Sequence, residues 1–266
     1  MPERETSILY RTHSGENKAS RPDWYSKELC LKSMIISYDL LQQQSSANFT
    51  VLFDGELNPH DEWAKTVKRM VEPRGVIIEK PHRGNCESTM NAIYTASEYP
   101  DNQVVVIAED DYLWLTPSLI GLYHSLTELP AHYSTPYDHP VRYQPDYPLG
   151  ADYPHWHNTI YITSERHWRT QESTCMTFAT TSRTIKEDLE YFEKYKDNGK
   201  GRPEDRELFR EMQGLEYYQY KHPNTPRILV GPMPSLATHV HLPWIAPLID
   251  WEKAAREVND KDIKYI

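Results

Sequence analysis

The sequence predicts an α/β fold in which a mostly parallel central sheet is flanked by helices. Three observations carry that prediction. Short β-favouring apolar runs alternate with segments of helical periodicity through the first half of the 266-residue chain, the pattern of β-α-β units. One run, Val104-Val105-Val106-Ile107-Ala108, is apolar on both faces, as a strand inside a helix-covered sheet must be. It ends in three consecutive carboxylates, Glu109, Asp110 and Asp111, and open α/β sheets bind ligands outside the carboxyl ends of their strands.

The elements follow in order. Ser7-Ile8-Leu9-Tyr10 is a short strand leading into Arg11-Thr12-His13-Ser14-Gly15. Residues 24–44 carry Leu29, Met34, Ile35, Tyr38 and Leu41 at helical spacing. Residues 49–53 form a second strand closed by Asp54-Gly55, 61–71 a helix, 75–80 a third strand, and 85–98 a helix opening after Gly84. After the acidic strand, Thr116-Pro117-Ser118 reads as an N-cap with proline at the first helical position, starting a helix to about residue 126. Residues 130–158, dense in Tyr, Pro, His and Asp, form a long loop of the kind that is usually functional. Residues 159–162 and 174–178 are further strands. A helix over 182–195 places Ile185, Leu189, Phe192 and Tyr195 on one face. A second helix, over 203–212, opens on Glu204 and Asp205, which suit its positive end. A strand at 227–230, a Pro- and His-rich loop over 231–247 and a helix at 250–258 complete the chain.

Composition bounds the partners. The content is 38% hydrophobic and 26% charged, and no apolar run approaches the roughly 20 residues that span a bilayer. The charged start Met1-Pro2-Glu3-Arg4-Glu5 has no apolar stretch of the secretory type. Cys30, Cys86 and Cys175 are odd in number and far apart, which points to reduced thiols and a cytoplasmic location. A net charge of −10 argues against a broad nucleic-acid-binding face but not against a local basic groove. The 19 tyrosines and 7 tryptophans supply planar area with polar tips, which suits sugar-binding surfaces and plain cores alike.

Three adjacent carboxylates repel one another unless a cation or strong donors sit among them. Oxygen ligands beside a phosphate-bearing substrate suit Mg²⁺ or Mn²⁺. An acidic triplet can also be a solvated turn, but the end of a central strand favours a site.

With Val106-Ile107-Ala108-Glu109-Asp110-Asp111 in place, residues 7–126 resemble the nucleotide-binding half of a GT-A glycosyltransferase of the broad family 2 type. In that family an apolar strand runs into an Asp-x-Asp motif, and the form here is similar to its Glu-Asp-Asp variant. The resemblance implies one GT-A domain over residues 1–266, with a nucleotide-sugar-binding half at 1–129 and an acceptor-binding half at 130–266. It implies Asp111, helped by Glu109, as ligands of Mn²⁺ or Mg²⁺, with Asp110, Arg11, Thr12 and Asp54 binding the donor. Arg83-Gly84-Asn85 with Ser88 stands where the family has a Gly-rich turn after strand three. Met90-Asn91 departs from the family's common Arg-Asn, so that arginine's work falls to Arg11, Lys80 or Arg83, or is not done at all. His239, in Thr238-His239-Val240-His241, would complete the metal shell. Asp205, with Glu204 beside it and Glu172 in reserve, would be the catalytic base.

The function expected on this reading is a metal-dependent glycosyltransferase. It would move a sugar from a nucleotide sugar to a glycan, another hydroxyl acceptor or a modified nucleic acid. A UDP-sugar is the expected donor, because a carboxylate at Asp54 can accept from the uracil imide N–H that cytosine lacks. Asp54 could equally be an Asx-turn residue before Gly55. Trp156, His157 and Trp244 are acceptor-site candidates. Three alternatives stand beside it. The first is a nucleotidyltransferase, against which the lack of a Gly-rich loop after strand one counts. The second is a metal-dependent hydrolase using His155, His157, His239, His241 and Asp111. The third is a non-catalytic carbohydrate- or nucleic-acid-binding protein on the same frame.

Overall fold

Four parallel strands build the half of the sheet on which the acidic triplet sits. They are β1 (Thr6–Thr12), β2 (Ala47–Asp54), β3 (Val76–Lys80) and β4 (Val104–Glu109). The computed structural model of the chain describes residues 4–16, 18–143, 158–215 and 226–263. β1 pairs in parallel with β2 on one side and β4 on the other, and β2 pairs with β3. The chain therefore moves outward from β1 to β3 and returns to β1's far side for β4. The reversal of strand order between β1 and β4 opens a crevice at their carboxyl ends, the place where such sheets bind ligands.

The helices cover both faces. α1 (Lys27–Gln42) starts at Ser26, whose hydroxyl accepts from the Leu29 N–H, and α2 (Glu62–Val71) at Asp61, which accepts from the Trp63 N–H. Ile8, Tyr10, Val104 and Val106 join α1's Leu31, Met34 and Ile35 in one core. Leu9, Val105 and Ile107 face the other way, onto Met90 and Ile93 of α3 (Asn85–Ser97). The alternation of buried side chains on β4 thus feeds two cores, which is why no position on that strand is polar before Glu109.

The second half extends the same sheet. The added strands are β6 (Tyr133–Ser134), β7 (Ile160–Ile162), β8 (His167–Thr170), β9 (Phe178–Thr181) and β10 (Leu229–Met233). The nine-stranded order is β3-β2-β1-β4-β9-β6-β10-β8-β7. β9 runs antiparallel to β4 and β6, and β8 antiparallel to β10 and β7, so the other seven of these nine strands point one way. The predicted α/β architecture, a mostly parallel sheet flanked by helices, is the one found. α4 (Ser118–Glu128), α5 (Ser182–Lys194), α6 (Asp205–Gln213) and α7 (Trp251–Asp260) complete the layers. β5 (Tyr112–Trp114) and β11 (Ala237–His239) form a separate antiparallel pair, with His239 opposite Tyr112.

The structure corrects several expected elements. The strand expected at 174–178 begins only at Phe178, because Cys175 and Met176 adopt φ of 49° and 53°, a left-handed turn closed to a strand. Pro117 occupies the N-cap position of α4, one place earlier than expected, and makes no side-chain cap. The 130–158 loop contains β6 and a single 3₁₀ turn at Pro140–Tyr143, and residues 144–157 lie outside the described residues. Among the described residues no helix is long and apolar enough to cross a membrane.

Candidate active site

The cleft at the β1–β4 switch point has a volume of about 610 Å³, within the usual range for ligand sites. Its floor is a set of one-to-one ion pairs. Arg11 Nη1 donates to Glu109 at 3.1 Å, Lys27 Nζ lies 2.8 Å from Asp110 Oδ2, and Arg21 Nη2 lies 2.9 Å from Asp111 Oδ2. Each carboxylate of the triplet therefore has its own cation, brought from the end of β1, from α1 and from the loop between them. Their mutual repulsion is relieved from within the chain.

Arg11 also ties β1 to the start of α3. Its guanidinium donates to Asn85 Oδ1 at 2.7 Å, to the Asn85 carbonyl at 3.3 Å and to Ser88 Oγ at 3.4 Å. Gly84, at φ 88°, turns the chain into α3 without a side-chain cap, and Gly84, Asn85 and Ser88 line the cleft. An uncapped helix N-terminus facing a cleft is a ready anion site. Thr12 donates to Asp110 Oδ2 at 2.5 Å and accepts from Trp63 Nε1 at 2.9 Å. Lys27 bonds the carbonyls of His13 and Gly15, which shapes the loop after β1 without a glycine-rich sequence.

His239 arrives from the far end of the chain. The β5–β11 ladder sets it beside the triplet, its ring stacks on Tyr112 at 5.2 Å, and its Nε2 lies 3.0 Å from Asp111 Oδ2. Burial alone would raise the Asp111 carboxyl, but His239 and Arg21 outweigh it and hold Asp111 below the usual carboxylate range. Burial likewise opposes the charge on His239, and Asp111 outweighs it, so the imidazole is raised from its ordinary value. Glu109 behaves differently. Burial dominates over Arg11 and pushes it up to about 7.

Asp54 ends β2 as expected, buried at 7% exposure, and lines the cleft. Its Oδ2 lies 3.0 Å from His82 Nδ1 and its Oδ1 accepts from the Arg83 N–H at 3.4 Å. The carboxylate expected to accept from a uracil imide is thus already engaged by the loop after β3. Arg83, expected to bind the donor through its side chain, contributes its backbone N–H, and His82 takes the place on the cleft wall.

The carboxylates expected to serve as base, and Trp244, do not line this cleft. Glu204, Asp205 and Glu172 line a second cavity of about 650 Å³. Asp205 accepts from the N–H groups of Thr174, Cys175 and Met176 and from Thr174 Oγ1 at 2.6 Å. Its carboxylate is raised by burial, against those donors, and its visible task is to hold the left-handed turn before β9. Trp244 packs on His139 at 5.3 Å between ring centroids, and its carbonyl accepts from Tyr137 Oη. Trp156, His157 and His155 lie outside the described residues. His13, Lys18, His82 and Arg202, which the sequence did not single out, line the cleft with His241.

The triplet does not form a prepared metal cage. Among the described residues no three His, Cys, Asp or Glu side chains are grouped to hold a metal ion. The expected ligands Glu109, Asp111 and His239 face Arg11, Arg21 and each other instead.

No family model matches the chain, and no curated protein sequence matches it. Solved structures are similar over nearly its whole length. One is a 4-diphosphocytidyl-2C-methyl-D-erythritol synthase, at 9% identity and a TM-score of 0.48, covering 98% of this chain and 100% of that one. Another is a CMP:2-keto-3-deoxy-manno-octonic acid synthetase complexed with CTP, at 12% identity and a TM-score of 0.46, covering 97% and 100%. A third is the inositol-1-phosphate CTP transferase from T. maritima, at 12% identity and a TM-score of 0.45, covering 98% of each chain. At such identities the likeness concerns the fold. These three bear the names of cytidylyl-transfer enzymes and none is named a glycosyltransferase, so the expected glycosyltransferase assignment is withdrawn. The Glu109-Asp110-Asp111 triplet that carried the resemblance is ion-paired, residue by residue, to Arg11, Lys27 and Arg21.

Proposed function

We propose that the chain is a nucleotidyltransferase, which binds a nucleoside triphosphate in the switch-point cleft and passes its nucleotidyl group to a second substrate with release of pyrophosphate. The observation that carries this reading is the charge left over on the cleft wall. The three carboxylates of the triplet are balanced by Arg11, Lys27 and Arg21, and the fourth on the wall, Asp54, is engaged by His82, whereas Lys18 and Arg202, also on the wall, form no ion pair among the described residues. Two spare cations, four imidazoles and the open N-terminus of α3 converge on one cleft, an arrangement that favours a polyanion. The earlier objection, the lack of a glycine-rich loop, loses force because Lys27 already holds the post-β1 loop in shape through the His13 and Gly15 carbonyls.

In the reaction an acceptor oxygen attacks the α-phosphorus, and the bond from the α-phosphorus to the bridging oxygen breaks. The electron pair leaves with pyrophosphate. Lys18 and Arg202 would hold the charge that builds on the leaving group, where fixed cations act most strongly on the rate. Arg11 and the α3 N-terminus would fix the α-phosphate for in-line attack. The turn over residues 197–203 borders both the cleft and the second cavity, so on this reading a second substrate could reach the α-phosphate from that side.

The test is a thermal-shift panel of the magnesium salts of CTP, UTP, ATP and GTP, followed by a pyrophosphate-release assay with mixed phosphorylated and neutral polyols. Tight binding to the native state raises apparent stability by mass action. One triphosphate should stabilise the chain and support pyrophosphate release. A chain that no triphosphate stabilises and that releases no pyrophosphate is not a nucleotidyltransferase.

A further inference from the structure

The large sheet ends, on the side away from β3, in a strand with an open edge. Among the described residues β7 pairs only with β8, antiparallel, with Ile160 opposite Arg169, Tyr161 opposite Trp168 and Ile162 opposite His167. The same register continues past both ends of the strand. The Thr170 N–H donates to the Thr159 carbonyl, and the Thr163 N–H to the Arg166 carbonyl, each at 3.0 Å. Along an antiparallel ladder, successive residues bond alternately to one side and to the other. Thr159, Tyr161 and Thr163 therefore bond toward β8. The N–H and C=O groups of Ile160 and Ile162 point out of the sheet.

The side chains at this edge are bare as well. Ile160 is 54% exposed and Ile162 67%, on one face of the strand, while Tyr161 between them packs against the core on the other. Tyr143, 47% exposed, widens the apolar face, its ring lying on the guanidinium of Arg169 opposite Ile160. Edge strands commonly carry a charge, a proline or a bulge that keeps other strands away. β3, at the other edge, ends in Glu79 and Lys80. The segment Thr159-Ile160-Tyr161-Ile162-Thr163 has no charge and no proline, and it reads the same in both directions.

We propose that β7 pairs with β7 of a second copy of this chain, antiparallel about a two-fold axis at Tyr161, so that two sheets join into one. The palindrome is what favours a second copy over a foreign strand. With Tyr161 facing the partner's Tyr161, Ile160 stands opposite the partner's Ile162, and Ile162 opposite the partner's Ile160. Each of these two pairs exchanges both of its outward hydrogen bonds, and the tyrosines form the non-bonded pair between them. A slip of one residue would set outward groups against inward ones and lose the bonds. The same register lays the exposed isoleucines of the two chains against each other on one face. Such a contact uses one patch on both chains and closes at two. Three residues a side bury far less than the roughly 800 Å² per partner of a standard interface, so the dimer is weak and governed by concentration.

The experiment is analytical ultracentrifugation of the full chain over a concentration series up to about 1 mM, where association this weak still registers. The mass should rise from one chain to two and stop there. Ile162→Lys should weaken association tenfold or more and leave the melting temperature of the dilute chain unchanged. Ile162→Pro should do the same, because the Ile162 N–H does not bond β8 and its removal costs only the contact between copies. Hydrogen exchange gives a second readout that does not depend on a variant's folding. The Ile160 and Ile162 amides should gain protection as concentration rises, while the Tyr161 amide is protected throughout. A chain that stays single over the whole series overturns the inference. Assembly beyond two chains overturns it too, as does a dimer that survives both substitutions or leaves the Ile160 and Ile162 amides unprotected.

Discussion

His239 Nε2 lies 3.0 Å from Asp111 Oδ2, joining residues 128 positions apart. Arg21 meets the same oxygen at 2.9 Å, so one buried carboxylate pins the post-β1 loop and β11 to the end of β4. Asp111 and Arg21 are 7% and 12% exposed at their side chains. Removing one partner of such a pair leaves an uncompensated charge, at a cost of about 3–5 kcal/mol. Asp111→Asn should therefore lower the unfolding free energy by about that much in urea titration. The double variant Asp111→Asn/Arg21→Gln should recover part of the loss. A single variant as stable as the parent would show that the pair is not structural.

The spare cations give a prediction about affinity. Lys18 and Arg202 are exposed and touch no described carboxylate, so neither holds the fold. A charge-assisted hydrogen bond is worth about 1.5–3 kcal/mol. Lys18→Ala and Arg202→Ala should each weaken triphosphate binding roughly ten- to a hundredfold, about what that energy corresponds to, with the melting temperature of the free chain unchanged. Titration calorimetry reads both, and affinities equal to the parent's would move the phosphates elsewhere.

Asp205 makes the opposite prediction. Its oxygens accept from Thr174, Cys175 and Met176 across a turn with left-handed φ at Cys175 and Met176. Asp205→Ala strips acceptors from several donors at once, and each orphaned donor costs about 1–3 kcal/mol. Stability should fall by at least about 2 kcal/mol, and triphosphate affinity should stay within a factor of two or three of the parent. A stable but inactive Asp205→Ala would return the residue to catalysis.

The sequence made long elements legible and short ones not. β1 to β4 and all seven helices carry a period or a capping residue, such as Ser26, Asp61 and Thr181, and they lie close to where the pattern puts them. β5, β8 and β11 have three or four residues each, too few for a period, and exist because distant strands pair with them. The site divides in the same way. Arg11, Thr12, Asp54 and the triplet end strands, so topology alone gathers them. Lys18, Arg21, His82 and Arg202 sit in loops, where a cation reads as ordinary solvated surface. Only the folded chain shows that Arg21 neutralises Asp111 or that Arg202 reaches the cleft. The partner cations of the acidic triplet were not legible because Arg11 and Arg21 lie 98 and 90 residues away from Glu109 and Asp111, and Lys27 is comparably distant from Asp110, so no local pattern joins them.

His139 carries a prediction about pH. Its ring sits between Tyr137 at 5.2 Å and Trp244 at 5.3 Å, and its Nδ1 accepts from the Val141 N–H at 3.1 Å. Burial, with His239 and Arg142 adding repulsion, lowers it to about 4. An unfolded histidine titrates near 6.5. Between those values the unfolded chain binds the proton and the folded chain does not, so stability falls as pH drops through that window. Protonation would also break the bond from Val141, which acts in the same direction. Urea midpoints measured from pH 7 to pH 4 should fall in the parent chain, and fall less in His139→Gln, whose amide oxygen can still accept from Val141. Carboxylates titrating in the same range contribute equally to both proteins and cancel in the difference. Identical slopes in the two proteins would mean that His139 takes up its proton as readily in the folded state as in the unfolded chain.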